Sequence, residues 1–317
     1  MSLFSWQEGA WSQLTKNNKM HHAYLFVGAS GAGLEKFAST FAQSLICNKL
    51  KDTNEPCGIC QDCQWLLTEH PNLKIIDNSA EDSSSNNISI ESIRNLKRFF
   101  ELSSHQIGGN KVILIHNAES LTLNAANALL KILEEPPENS YLILTTNSIS
   151  ALLPTIISRC LIVSCPKPTN EEARQFLKLE GHENLSSQLP LFNNLPLDLI
   201  ANQSDNELFE TIIEEFKKGK DFELMTIESK WLSGDFSAII SLFQKWIYDI
   251  FLFKLTTKSH FFEHKKENIK KLSNNTDISK LIRLVKSVNN IKSISNKPIN
   301  KELAFDNLMI EYKNIFK

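Results

Sequence analysis

The sequence predicts an α/β domain on a parallel sheet, followed by a small helical lid and a helical C-terminal domain. Three observations predict it. Short apolar runs alternate with helical periods through the front half, and a glycine loop follows the first run. Beyond Pro166 and Pro168, helical patterns dominate. Strand and helix alternating in this way imply a parallel sheet covered on both faces.

His22-Ala23-Tyr24-Leu25-Phe26-Val27 is a short apolar strand running into Gly28-Ala29-Ser30-Gly31-Ala32-Gly33, and Glu35 to Ile46 is a helix. Leu73 to Asp77 is a second strand, followed by a polar Ser- and Asn-rich loop over Ser83 to Asn87. Ile90 to Leu96 has helical spacing, and Lys111 to Ile115 is an apolar strand rich in β-branched residues. The helix from Asn124 to Glu134 ends against Pro136-Pro137, because proline can neither donate a backbone hydrogen bond nor continue the helix. Tyr141 to Thr146 and Leu161 to Val163 complete the strands. The expected division is 1–166 for the α/β domain, 167–206 for the lid and 207–317 for the C-terminal domain.

Length fits about two domains, and 42% apolar residues suffice for packed cores. The net charge of -2 gives no argument for nucleic acid or membrane. Charge is uneven, however: Lys254 to Lys301 holds 12 basic against 3 acidic residues, which reads first as a solvated helical surface. The N-terminus lacks a basic and apolar signal pattern. Phe236 to Leu255, the most apolar window, is broken by Gln244, Lys245 and Asp249, which favours a buried helix over a membrane span. A reducing cytoplasm is the expected compartment, where cysteines signify metal or packing rather than disulfides.

Cys47, Cys57, Cys60 and Cys63 have the spacing C-x9-C-x2-C-x2-C, which suits a structural zinc held by four sulfurs. An iron–sulfur cluster or unligated cysteines are the alternatives. Cys160 and Cys165 read as small core residues.

A working P-loop needs Lys and then Ser or Thr after its glycines; here Leu34 and Glu35 stand there. Leu34 supplies no charge, Glu35 places a negative group near the phosphates, and Lys36 lies about 200° around the helix. After the strand at Lys111 to Ile115, His116-Asn117 replaces the acidic pair of such ATPases, and His116 reads as a surface or loop histidine. No functional ATP site is expected, although weak backbone binding at Gly28, Gly31 and Gly33 stays open. Ser158-Arg159-Cys160, after a short apolar run, places a guanidinium where it could reach a neighbour's ATP.

These motifs resemble the delta-prime subunits of the bacterial DNA polymerase III clamp loader. The resemblance rests on His22 to Phe26, the degenerate loop, the four cysteines, His70-Pro71 and Ile90 to Arg94. Asn127 to Lys131, Leu133-Glu134-Glu135-Pro136-Pro137, Ser158-Arg159-Cys160 and the tail Ile299 to Leu303 complete it. It is strong over residues 20–165 and only helical in character over 166–290. It implies an AAA+ fold, a lid and a collar that joins a ring of five subunits. In that ring delta-prime lends an arginine, here Arg159 with Ser158, to an adjacent gamma or tau ATPase, beside delta. The assembly loads the beta sliding clamp onto primed DNA within the DNA-directed DNA polymerase holoenzyme, and the isolated chain is expected to have no catalytic activity.

One rival is an active gamma/tau-like ATPase, which needs Lys at position 34. A zinc-bearing nucleic-acid binder using Lys254 to Lys301 is another, but no aromatics alternate with those lysines as a stacking platform needs. The missing arginine near Asn194 to Asp198, where ATP-hydrolysing siblings carry a phosphate sensor, also counts against the first.

Overall fold

The computed structural model describes residues 3–16, 20–66, 70–77, 87–101, 109–222, 235–294 and 300–317. Most of the polar loop at Ser83 to Asn87, and Ile299 of the tail motif, lie outside the described residues. Chain contacts divide the protein into two compact units, Met1–Glu172 and Ala173–Lys317.

In the first unit β1 (Ala23–Val27), β2 (Leu73–Ile76), β3 (Lys111–Ile115), β4 (Ser140–Thr146) and β5 (Leu161–Ser164) form one sheet in the order β2-β3-β4-β1-β5. Every pairing is parallel: Leu25 lies opposite Leu144 on one side and Ile162 on the other, and Ile113 lies opposite Leu142. Strand side chains alternate between faces, so the apolar runs feed two cores. Ala23, Leu25, Ile113, Ile115, Leu142 and Leu144 pack on one face with residues of α4 (Ile90–Glu101), α5 (Leu123–Glu134) and α6 (Pro154–Ile157). Tyr24, Phe26, Val112, Leu114 and Ile143 pack on the other with α1 (Glu8–Lys16) and α2 (Leu34–Ile46). A short helix, α3 (Gln61–Trp65), follows the cysteine-rich segment. Both faces being covered explains why β1 and β3 read as uninterrupted hydrophobic runs. The parallel α/β sheet that the sequence led us to expect is therefore present, with the glycine loop leaving β1, the strand between β4 and the edge strand β5.

The second unit is helical. α7 (Asn170–Leu179) spans the contact boundary and contributes Ala173 and Leu177 to a small core with Leu185, Leu189 and Leu199, the last from α8 (Pro196–Ala201). A larger core gathers around α10 (Phe236–Thr256), joined by α9 (Gln203–Phe216), α11 (Lys266–Asn274), α12 (Ile278–Ile294) and α13 (Lys301–Asn314). By length and composition alone α10 could cross a membrane. Phe243, Trp246, Ile247 and Ile250 are instead buried at the centre of this core.

The polar breaks in α10 have structural work. Asp249 is fully buried and accepts backbone N–H bonds from His260, Phe261 and Phe262 at 3.0, 2.9 and 2.8 Å. Asp249→Ala would leave those donors without a partner, each costing about 1–3 kcal/mol. The expected outcome is a loss of about 3–5 kcal/mol in the helical unit, seen in denaturant unfolding together with faster hydrogen exchange at the three amides. Unchanged exchange there would show that the carboxylate does not hold the turn.

Candidate functional site

The site begins where β1 ends. Gly28 donates its N–H to Thr146 O at 3.2 Å, tying the glycine loop to the end of β4. A side chain at Gly28 would not fit, since its Cβ would lie 2.8 Å from Cβ of Cys165. The loop then folds into a tight 3-10 turn over Ser30–Ala32. Ala32 N–H donates to Ala29 O at 3.1 Å and Gly33 N–H to Ser30 O at 2.7 Å. The amide of Ser30 donates to Oδ1 of Asn147 at 3.1 Å. A phosphate cradle works by aiming free backbone N–H groups at the anion; here several of those groups are engaged within the protein.

The N-terminal segment braces the same loop from outside. Trp6 Nε1 donates to Ala32 O at 3.0 Å, and the buried Gln7 amide donates to Ala32 O and Gly33 O, both at 3.0 Å. Gly33 has φ +82°, the left-handed region glycine favours, and lies against the Phe4 ring. Leu34 is buried among Phe37, Phe41 and Tyr24 rather than directed at the loop. Lys36 points elsewhere, with its ammonium 3.9 Å from the centroid of Phe4. Glu35 is exposed at the first turn of α2.

His116 departs from expectation. It is buried rather than at the surface: its backbone N–H donates to Ile76 O at 2.9 Å, and Nδ1 of its ring lies 3.4 Å from Thr145 Oγ1. The strand before it carries it under the sheet's carboxyl edge, where a histidine met only as a loop residue would not be placed. Burial pushes its pKa down, with Glu35 and Asp77 opposing weakly. A depressed histidine pKa means that the unfolded chain binds the proton more readily. Stability is then complete above the ordinary histidine value and lost as pH falls through it toward the folded value. The fall in melting temperature between pH 7.5 and 5.5 is expected to be smaller in His116→Gln; equal slopes would remove His116 as the cause. Asn117 adopts φ +52°, which asparagine tolerates, and its N–H donates to Thr145 Oγ1 at 3.1 Å.

Arg159 lies in the turn after α6, immediately before the edge strand β5. Its guanidinium forms an ion pair with Glu134 at 2.8 Å and donates to Thr155 O at 2.9 Å and Ser158 Oγ at 3.4 Å.

The four cysteines converge. Their sulfurs all lie within 4.8 Å of one another, with Cys47–Cys60 and Cys57–Cys63 each at 3.9 Å. Tetrahedral four-sulfur coordination at about 2.3 Å per bond puts sulfurs about 3.8 Å apart, so this set could hold a metal ion. Backbone N–H groups of Ile59 and Cys60 donate to Cys57 Sγ at 3.4 and 3.3 Å and lower its pKa to about 6. Burial raises the thiols of Cys47 and Cys63. Gly58 makes the turn with φ +77°. Beside the cluster, Asp62 is held by the Asn48 amide and by His70 Nε2 at 3.4 Å, both acid and histidine being buried.

Residues 7–169 match the family described as DNA polymerase III, delta subunit, and residues 203–314 match its C-terminal family. A DNA polymerase III subunit delta' from Pseudomonas aeruginosa is 32% identical over 263 residues, covering 80% of this chain and 79% of that protein. The chain belongs to the clamp-loader delta-prime family of DNA polymerase III. A DNA polymerase III subunit tau/gamma from Haemophilus influenzae is 39% identical over 146 residues, 46% of this chain and 20% of that one. Among solved structures, a gamma subunit-related protein from Thermotoga maritima is 17% identical with a TM-score of 0.46, covering 98% of this chain and 99% of that one.

For a delta-prime family member, the sequence brought out Arg159, the four cysteines and the altered glycine loop, and the structure brings the cysteines together. It did not bring out Glu134, Asn147 or the bracing by Trp6 and Gln7. Glu134 stands in Leu133-Glu134-Glu135-Pro136-Pro137, but nothing in its spacing points to Arg159.

Proposed function

We propose that this chain is a non-hydrolysing clamp-loader subunit that lends Arg159 to the nucleotide site of an adjacent gamma or tau ATPase. The observation that carries the reading is Leu34, packed into the core at the position where a P-loop directs its lysine to the phosphates. Support also comes from the glycine-loop amides engaged by Asn147, Ala29 and Ser30, and from Glu35 where a hydroxyl ligand would stand. Such a subunit gains nothing from an arginine directed at its own loop, whereas a partner ATPase does. The arginine's task would be to neutralise charge on the transferred phosphoryl group.

In this reading residues 1–166 form the AAA+ domain, 167–206 the lid and 207–317 the collar that joins the ring in the cytoplasm. The ring partners are gamma or tau ATPases and delta, and the assembled complex places the beta clamp on primed DNA. Cys47, Cys57, Cys60 and Cys63 would hold a structural zinc. Four thiolates fill its coordination and leave no position for substrate, so the metal would shape the fold rather than take part in chemistry.

Two measurements test the proposal. Reconstitution of gamma, delta, clamp and primed DNA with and without this chain should show clamp loading only with it. Calorimetry of the isolated chain with ATP-Mg²⁺ should show no micromolar binding. Tight binding or turnover by the pure chain would favour the active-ATPase reading instead.

A further inference from the structure

Three polar contacts hold the Arg159 guanidinium, and they differ in kind. Thr155 and Ser158 belong to the same short helix and turn as Arg159 and move with it. Glu134 comes from elsewhere: it is the last residue of α5, where Pro136-Pro137 stop the helix. The preceding Leu133 is buried in the same core as Ile156 of α6, so the carboxylate has a fixed base.

We infer that Glu134 is a positioning residue for Arg159, holding the guanidinium plane in the direction in which it meets a neighbouring subunit's phosphate. The inference rests on the reading of Arg159 as a contributor in trans. A guanidinium has five N–H donors in one plane. The ion pair of Nη2 with Glu134 and the Nη1 hydrogen bonds to Thr155 and Ser158 set that plane while leaving other donors for a ligand. The side chains of Arg159 and Glu134 are 35% and 51% exposed, so the pair adds little to fold stability. Its effect is directional: an arginine already ordered loses less freedom when it binds. Glu135, adjacent in the same motif, forms no ion pair among the described residues and supplies a control of equal charge.

The test uses the full reconstituted complex with primed DNA and clamp, carrying Glu134→Gln, Glu135→Gln, Arg159→Ala, or Glu134→Gln with Arg159→Ala. Glu134→Gln is expected to lower kcat at the neighbouring site about two- to fivefold, with the KM for ATP and ring assembly unchanged. Glu135→Gln should match the parent, and Glu134→Gln should add nothing to Arg159→Ala. In the isolated chain, phenylglyoxal should modify Arg159 faster in Glu134→Gln than in Glu135→Gln, followed by peptide mass spectrometry. Equal modification and equal turnover for the two glutamate variants would overturn the positioning role. Faster turnover in Glu134→Gln would also overturn it, because the carboxylate would then be a restraint. Should Arg159→Ala itself leave turnover unchanged, the reading in trans fails and the role of Glu134 fails with it; a slowed Arg159→Ala beside a normal Glu134→Gln removes only the latter.

Discussion

Arg159→Ala is expected to slow ATP turnover at the adjacent ATPase site by about 10³-fold or more, the scale on which arginine fingers act in other NTPases. The chain itself should stay folded and assembled. Its guanidinium contacts Glu134, Thr155 and Ser158 among the described residues, and the Glu134 pair is half-exposed, so stability should change by no more than about 1 kcal/mol. In a ring with three ATPases, the other two sites would keep hydrolysing, so total turnover should fall modestly while clamp loading falls more. Single-turnover hydrolysis and fluorescent clamp loading on primed DNA separate the two quantities. Arg159→Lys should rescue poorly, because an ammonium cannot reproduce the planar two-pronged contact of a guanidinium. Loading at the parent rate by Arg159→Ala would sink the assignment and leave Ser158-Arg159-Cys160 a structural turn.

The fold was legible in the sequence wherever an element's own residues decide its burial. β1 and β3 are covered on both faces, so Ala23 to Phe26 and Val112 to Ile115 are apolar without a break. β5 was legible as the apolar run Leu161 to Val163, although Leu161 and Ile162 are exposed at the sheet edge. The cysteine set was legible because its spacing is local. What escaped depends on residues distant in sequence. The burial of His116 is fixed by Ile76 and Thr145, and the closing of the glycine loop by Asn147 at the end of another strand. Likewise the Leu34 substitution announced a lost charge, but not that its side chain would join the core beneath α2. The ion pair of Glu134 with Arg159 joins two helix ends whose approach follows from the packing of Leu133 and Ile156, which no periodicity in either helix encodes.

Cys63→Ser is expected to abolish retention of zinc and to unfold the segment around residues 47–66 while the sheet survives. The zinc-bound form depends on four thiolates, and structural zinc supplies about 10–16 kcal/mol of apparent binding energy in small zinc-finger folds at neutral pH. Besides the sulfurs, the segment is held by the Trp11 indole on Thr53 O at 2.8 Å and by Asn48 and His70 on the buried Asp62, whereas Gly58 and Ile59 are exposed. Both sheet cores draw instead on β1, β3, β4 and the helices packed on them, so the damage should stay local. Of the cluster's thiols Cys57 is the one whose pKa the Ile59 and Cys60 amides lower, to about 6, which favours the thiolate that binds metal. Cys47 and Cys63, raised by burial, must give up protons as the metal enters. Zinc retention should consequently fall as pH drops, since protons compete for the same sulfurs. Metal analysis of the purified parent should give about one zinc per chain, and limited proteolysis should cut Cys63→Ser between residues 50 and 66 far faster than the parent. A zinc-free parent with full resistance to cleavage there would show that the four sulfurs are packing residues and that no metal is needed.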